Sequence, residues 1–116
     1  MQVQVTTDNH IKGNEGLSSE VTAVVEDALD RFADRVTRVL VHFTDENGQK
    51  HGANDKRCAI EARLAGLQPI AVTGTGESLD QALNGAAEKL QRAIESTVGR
   101  LSDTKGRKSF GDQTIE

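Results

Sequence analysis

Residues 72–101 read VTGTGESLDQALNGAAEKLQRAIESTVGRL. A short strand ends in the glycines Gly74 and Gly76 and turns toward a helix. Ser78-Leu79-Asp80-Gln81 fits a capping box, with serine at the N-cap and glutamine three positions on. Leu79, Ala82, Leu83, Ala86, Leu90, Ile94 and Leu101 then recur at helical spacing. The stretch predicts a strand, a glycine turn and a long amphipathic helix whose apolar seam needs a sheet beneath it.

Working back from it, Pro69 opens that strand, expected through Val72, and Gly66 turns the chain before it. Residues 57–64 alternate, with Cys58, Ile60, Ala62 and Leu64 inward and Arg57, Glu61 and Arg63 outward. Residues 36–43 do the same, with Val39, Val41 and Phe43 on one face and Arg38, Leu40 and His42 on the other. The polar segment between them, with Asn47-Gly48 and Gly52, predicts a hairpin with a long loop. Leu17, Val21, Val24, Val25, Ala28, Leu29 and Phe32 predict a first helix to about Ala33, with Asn14 as N-cap. Gln2-Val3-Gln4-Val5-Thr6 reads as a half-buried first strand. The order is β-α-β-β-β-α, an α+β fold. The helix between the first two strands implies a parallel crossover, and the remaining strands form an antiparallel meander. One apolar face per strand places both helices on the same side of a four-stranded mixed sheet. Residues 1–101 form one domain. Residues 102–116, polar and glycine-containing, read as a mobile tail.

Composition narrows the function. With three Phe, no Tyr and no Trp, an aromatic platform for stacking bases is not expected. No apolar run approaches the length of a membrane span, and the N-terminus lacks the features of a signal peptide. The single cysteine suits a reducing, cytoplasmic setting. His10, His42, His51 and Cys58 have no metal-ligand spacing, and alternation puts His42 and Cys58 on opposite sheet faces, so no metal or cofactor is expected. Cys58 reads as a small core hydrophobe. Gly74-Thr75-Gly76 lacks the Gly-Lys-Ser/Thr of a phosphate loop and reads as a strand-to-helix turn. No acid, base and pocket assemble, so an enzyme is not expected.

Charge is the positive signal. The net charge of −4 conceals a division: residues 1–88 carry 8 basic and 14 acidic groups, whereas residues 89–108 carry six basic and two acidic ones. At 100° per residue, Lys89 and Arg100 fall about 20° apart on the helix, and Arg92 about 60° to the other side of Lys89. Glu88 and Glu95 lie further round and dilute this stripe, and beyond it the tail adds Lys105, Arg107 and Lys108. Six such cations suit phosphate contacts, which position a protein without reading sequence. The first helix is the opposite, with Glu26, Asp27, Asp30 and Asp34 around Arg31 and Arg35. Intrahelical pairing and a solvated face are its default, and a protein-interaction module using that acidic helix is the alternative reading.

Taken together, the β-α-β-β-β-α order resembles the short-form ribosome hibernation-promoting factors, also called ribosome-associated translation inhibitors or sigma-54 modulation proteins. The likeness covers roughly residues 2–101. It rests on Phe32-Ala33-Asp34-Arg35-Val36 at the strand entry, on Gly76 before the helix, and on SLDQAL and AAEKLQRAI in that helix; Asp45–Gly48 and Asp55–Cys58 look like a subgroup. The resemblance implies a fold similar to double-stranded RNA-binding domains. It also implies a factor in the mRNA and tRNA channel of the small subunit, against 16S rRNA, inhibiting translation under stress by blocking the A- and P-sites. Lys89 and Arg92 correspond to the family's basic helix residues, and Arg100, Lys105, Arg107 and Lys108 to its basic extension. Where family members often carry lysines on the first helix, this chain has Glu26, Asp27 and Asp30. The short form lacks the dimerising domain of long-form factors, and a monomer off the ribosome is expected.

Overall fold

The computed structural model describes residues 1–8, 15–45 and 56–107, the last seven by their backbone alone. Strand β1 (Gln2–Thr7) leads to helix α1 (Glu15–Ala28) and a single 3-10 turn (Asp30–Phe32). Strands β2 (Val36–Asp45), β3 (Lys56–Leu64) and β4 (Ile70–Gly76) follow, and helix α2 (Leu79–Arg107) comes last. The sheet order is β1-β2-β3-β4, with β1 parallel to β2 and the other pairs antiparallel. This is the α+β arrangement that the alternation and helical spacing predict.

The core lies between the sheet and both helices. Val39, Val41 and Phe43 of β2 and Cys58, Ile60, Ala62 and Leu64 of β3 are buried, as alternation requires. They join Val21 and Val25 of α1 and Ala82, Leu83, Ala86, Leu90 and Ile94 of α2 in one cluster, so both helices cover the same face. With so few aromatics, Phe43 is the largest fully buried side chain and small aliphatic groups fill the rest.

Three features differ from the sequence reading. Helix α1 stops at Ala28 rather than near Ala33. The chain then tightens into the 3-10 turn, whose three-residue repeat drops both Leu29 and Phe32 into the core. Second, Gly74-Thr75-Gly76 is not a strand-to-helix turn but the end of β4, which continues past Val72. A Cβ on Gly74 would lie 2.5 Å from the Ala82 carbonyl oxygen and the Ala86 amide nitrogen. The glycines are therefore where the backbone of α2 rests directly on the strand. Third, α2 continues six residues past Leu101, to Arg107. Extending a packed helix requires no further nucleation, so it outruns the apolar seam that revealed it. Asn14, His10, His51, Lys108 and the rest of the expected tail lie outside the described residues.

The start of α2 is capped slightly off the expected box. The Gln81 amide donates to Ser78 Oγ at 3.2 Å, while Gln81 Oε1 accepts from the Glu77 amide, 2.8 Å, rather than from that of Ser78. At the loop end of the sheet, Lys56 Nζ donates to Asp45 Oδ2 at 3.2 Å and the Asp45 amide donates to Asp8 Oδ2 at 3.1 Å. These bonds tie the ends of β1, β2 and β3 together.

Candidate nucleic-acid interface

Two contacts fix how α2 is rotated over the sheet. On one flank, Arg31 from the 3-10 turn forms an ion pair with Glu95, and its guanidinium also lies 5.2 Å from the Phe32 ring centroid. On the other flank, Lys89 Nζ donates to the Thr73 carbonyl of β4 at 2.9 Å. The flank carrying Lys89 thus overhangs the edge strand β4, on the side of α2 away from the acidic first helix.

All three cations expected on this helix, Lys89, Arg92 and Arg100, are exposed. Helical geometry puts Lys89 and Arg100 on the β4 flank and Arg92 on the outward crest. Each guanidinium is held locally: Arg92 pairs with Glu88 at 3.5 Å, and Arg100 Nη1 donates to Ser96 Oγ at 2.8 Å. The extended helix separates two of the remaining candidates. Arg107 stands five whole turns after Lys89 and returns to the same azimuth, whereas Lys105 falls about 160° away from it. Lys108 lies outside the described residues.

A second set of cations is invisible to a charge count along the chain. Arg38, Arg57 and Arg63 are all exposed on the helix-free face of the sheet, with His42 among them. Arg38 and Arg63 are direct cross-strand partners, and Arg38 Nη2 donates to Gln4 Oε1 at 2.8 Å. The His42 ring is oriented by the Thr6 hydroxyl, 2.6 Å from its Nδ1. Alternation alone puts these residues on one face. Their charge vanishes only when summed with the carboxylates of the first 88 residues.

A shallow depression on the open sheet face is lined by His42, Thr44, Arg57 and Ala59, and a second on α1 by Ser18, Ser19, Thr22, Ala23 and Glu26. Among the described residues no group of His, Cys, Asp and Glu could hold a metal ion. Burial pushes the Cys58 thiol up to about 12, far from a reactive thiolate. No described helix is long and apolar enough to cross a membrane.

The model of the sigma 54 modulation protein / S30EA ribosomal protein family matches residues 3–102, from β1 into α2. The chain belongs to that family. It is a ribosome-associated family and not one of known enzymes. A comparison with curated proteins gives no match. Among solved structures, the N-terminal domain of Protein Y from Thermus thermophilus is similar, with a TM-score of 0.68 at 16% identity over 84% of this chain and 99% of that one. A ribosomal subunit interface protein from Coxiella burnetii gives 0.66 at 15% identity, over 85% and 99%. At such identities the likeness establishes the fold. Lys89, Arg92 and Arg100 lie inside the family match, whereas Lys105, Arg107 and Lys108 lie beyond it.

Proposed function

We propose that this protein is a cytoplasmic hibernation factor that binds the decoding channel of the small ribosomal subunit through 16S rRNA phosphates and inhibits translation under stress. The observation that carries the reading is the exposed row Lys89, Arg92 and Arg100 on α2 of a ribosome-associated family domain, in a chain whose net charge is −4. Arg107 continues that row on the helix backbone, and Lys105 and Lys108 add to the positive charge of this part of the chain. Helix α1 and the 3-10 turn after it, with Glu20, Glu26, Asp27 and Asp30 exposed, repel phosphate and are turned away from the RNA. The factor acts by occupying space where mRNA and tRNA would lie, with no cofactor and no small-molecule substrate, and is a monomer off the ribosome.

The test is cosedimentation of the purified protein with 30S, 50S and 70S particles across a salt series, paired with an in vitro translation assay. Binding to 30S and 70S that weakens with salt, together with inhibited translation, is expected. The variant Lys89→Ala/Arg92→Ala/Arg100→Ala should bind more weakly and flatten the salt slope by about two to three units, near one for each phosphate no longer engaged. A slope identical to that of the parent removes this row from the interface. Absence of ribosome binding altogether favours the alternative in which acidic α1 meets a basic protein.

A further inference from the structure

We propose that the helix-free face of the sheet is a second RNA-contacting surface, on which Arg38, Arg63 and Arg57 engage phosphates of an RNA segment other than the one met by α2. The proposal rests on the ribosome reading above but concerns a different side of the molecule.

The strand cations are sorted by face. Lys56 is directed to the Asp45 carboxylate at the sheet end, whereas Arg38, Arg57 and Arg63 all project from the open face. Among the described strand residues only one carboxylate, Glu61, shares that face with them. The face is thus net positive within a stretch of chain that is net negative. Arg38 and Arg63 stand opposite each other across the β2–β3 ladder. Like charges in that position cost stability, and an anion between them relieves the cost. Arg57 lies six residues from Arg63 on the same strand, roughly 20 Å away. It is flanked by its cross-strand partners Thr44 and Thr75. Between the two positive ends the β2–β3 ladder places Leu40, His42, Ala59 and Glu61, of which only Glu61 is a carboxylate. Phosphates seat at the ends, and Glu61 keeps them from the middle.

The chemistry of the face selects RNA over protein. Stable protein interfaces are anchored by desolvated aromatic or large apolar side chains. Here the face offers half-buried Leu40 and the small Ala59 and Ala71. Its one ring, His42, is held by Thr6 and makes no platform for stacking bases. Its contacts are therefore to phosphate and ribose, without sequence choice. The two basic surfaces are joined around the edge strand, where Lys89 of α2 reaches Thr73 of β4. A domain positive on its α2 flank and on its open sheet face is suited to wedging between two RNA segments rather than lying on one.

The test uses 70S ribosomes and two independent readouts. The variant Arg38→Gln/Arg57→Gln/Arg63→Gln alters exposed positions and should keep its melting temperature, yet lower the salt slope by about two to three units. Separately, a photo-crosslinker is attached to Ala71→Cys on the same face; buried Cys58 takes no label. Crosslinks to rRNA are expected. If the arginine variant keeps the parental slope while the α2 variant binds more weakly, the second surface is refuted and the ribosome reading stands. Crosslinks to ribosomal proteins alone also refute it, in favour of an acidic protein partner. If the parent protein does not sediment with ribosomes at all, the ribosome reading falls and this proposal falls with it.

Discussion

Gly74 is the residue at which strand and helix come closest. A methyl group there meets backbone atoms of α2 at 2.5 Å, and backbone cannot swing aside as a flexible side chain would. Gly74→Ala should therefore destabilise the fold by about 1–3 kcal/mol or more, read as a lower urea midpoint. Gly85→Ala, with open space at its Cβ and a helical backbone, should gain up to about 1 kcal/mol and serves as the control. Cys58 makes the opposite kind of prediction. Fully buried, with its thiol held at about 12, it exposes about one thiolate in ten thousand near pH 8. It should resist a thiol reagent in the native protein and react at once in denaturant. Rapid native labelling would mean that the sheet opens locally. Alternation reveals Cys58 as a core residue because its neighbours in sequence settle its face. Gly74 is not legible in the same way, because its meaning depends on Ala82 and Ala86, which approach it only after the chain has folded back.

At the scale of elements, the two helices meet at their N-terminal ends through carboxylates. Asp80, in the first turn of α2, hydrogen-bonds to Glu20 of α1 and also repels its charge, and together these raise the Glu20 pKa above the ordinary glutamate range. The native state then holds that proton more tightly than the unfolded chain does. Its contribution to stability is present at low pH and is lost as pH rises through the raised native value. Replacing Glu20 by Gln should flatten the stability profile as pH rises from the ordinary glutamate range through the raised native value, followed by melting temperature. An unaltered profile would show that the two carboxylates do not interact in solution. Legibility differs from element to element for physical reasons. Strands β2 and β3 are readable residue by residue, since a buried face imposes strict alternation. The middle of α2 is readable from its seam. Its last turns carry no such seam, so residues 102–107 give no helical signal. The 3-10 turn is hidden because Leu29 and Phe32 fit a three-residue or a four-residue repeat equally well.

For the whole molecule, charge is segregated by surface rather than by sequence segment. Acidic side chains are concentrated on α1, while cations line the outer flank of α2 and the open sheet face. The α2 row is legible because its members are close in sequence and follow one helical azimuth. The arginines on the sheet come from two strands and are submerged in a regional total. The contact between Lys89 and the Thr73 carbonyl has a further consequence for the free protein. Strand β4 ends the sheet, and such an unpaired edge invites another chain to add a strand. A hydrated ammonium group held against that edge makes strand addition unfavourable. On the proposed ribosome reading, the ammonium leaves for a phosphate and the RNA itself takes over as the shield. On that reading the same lysine guards the edge of the free protein and gives up that duty only when a ligand is present to assume it.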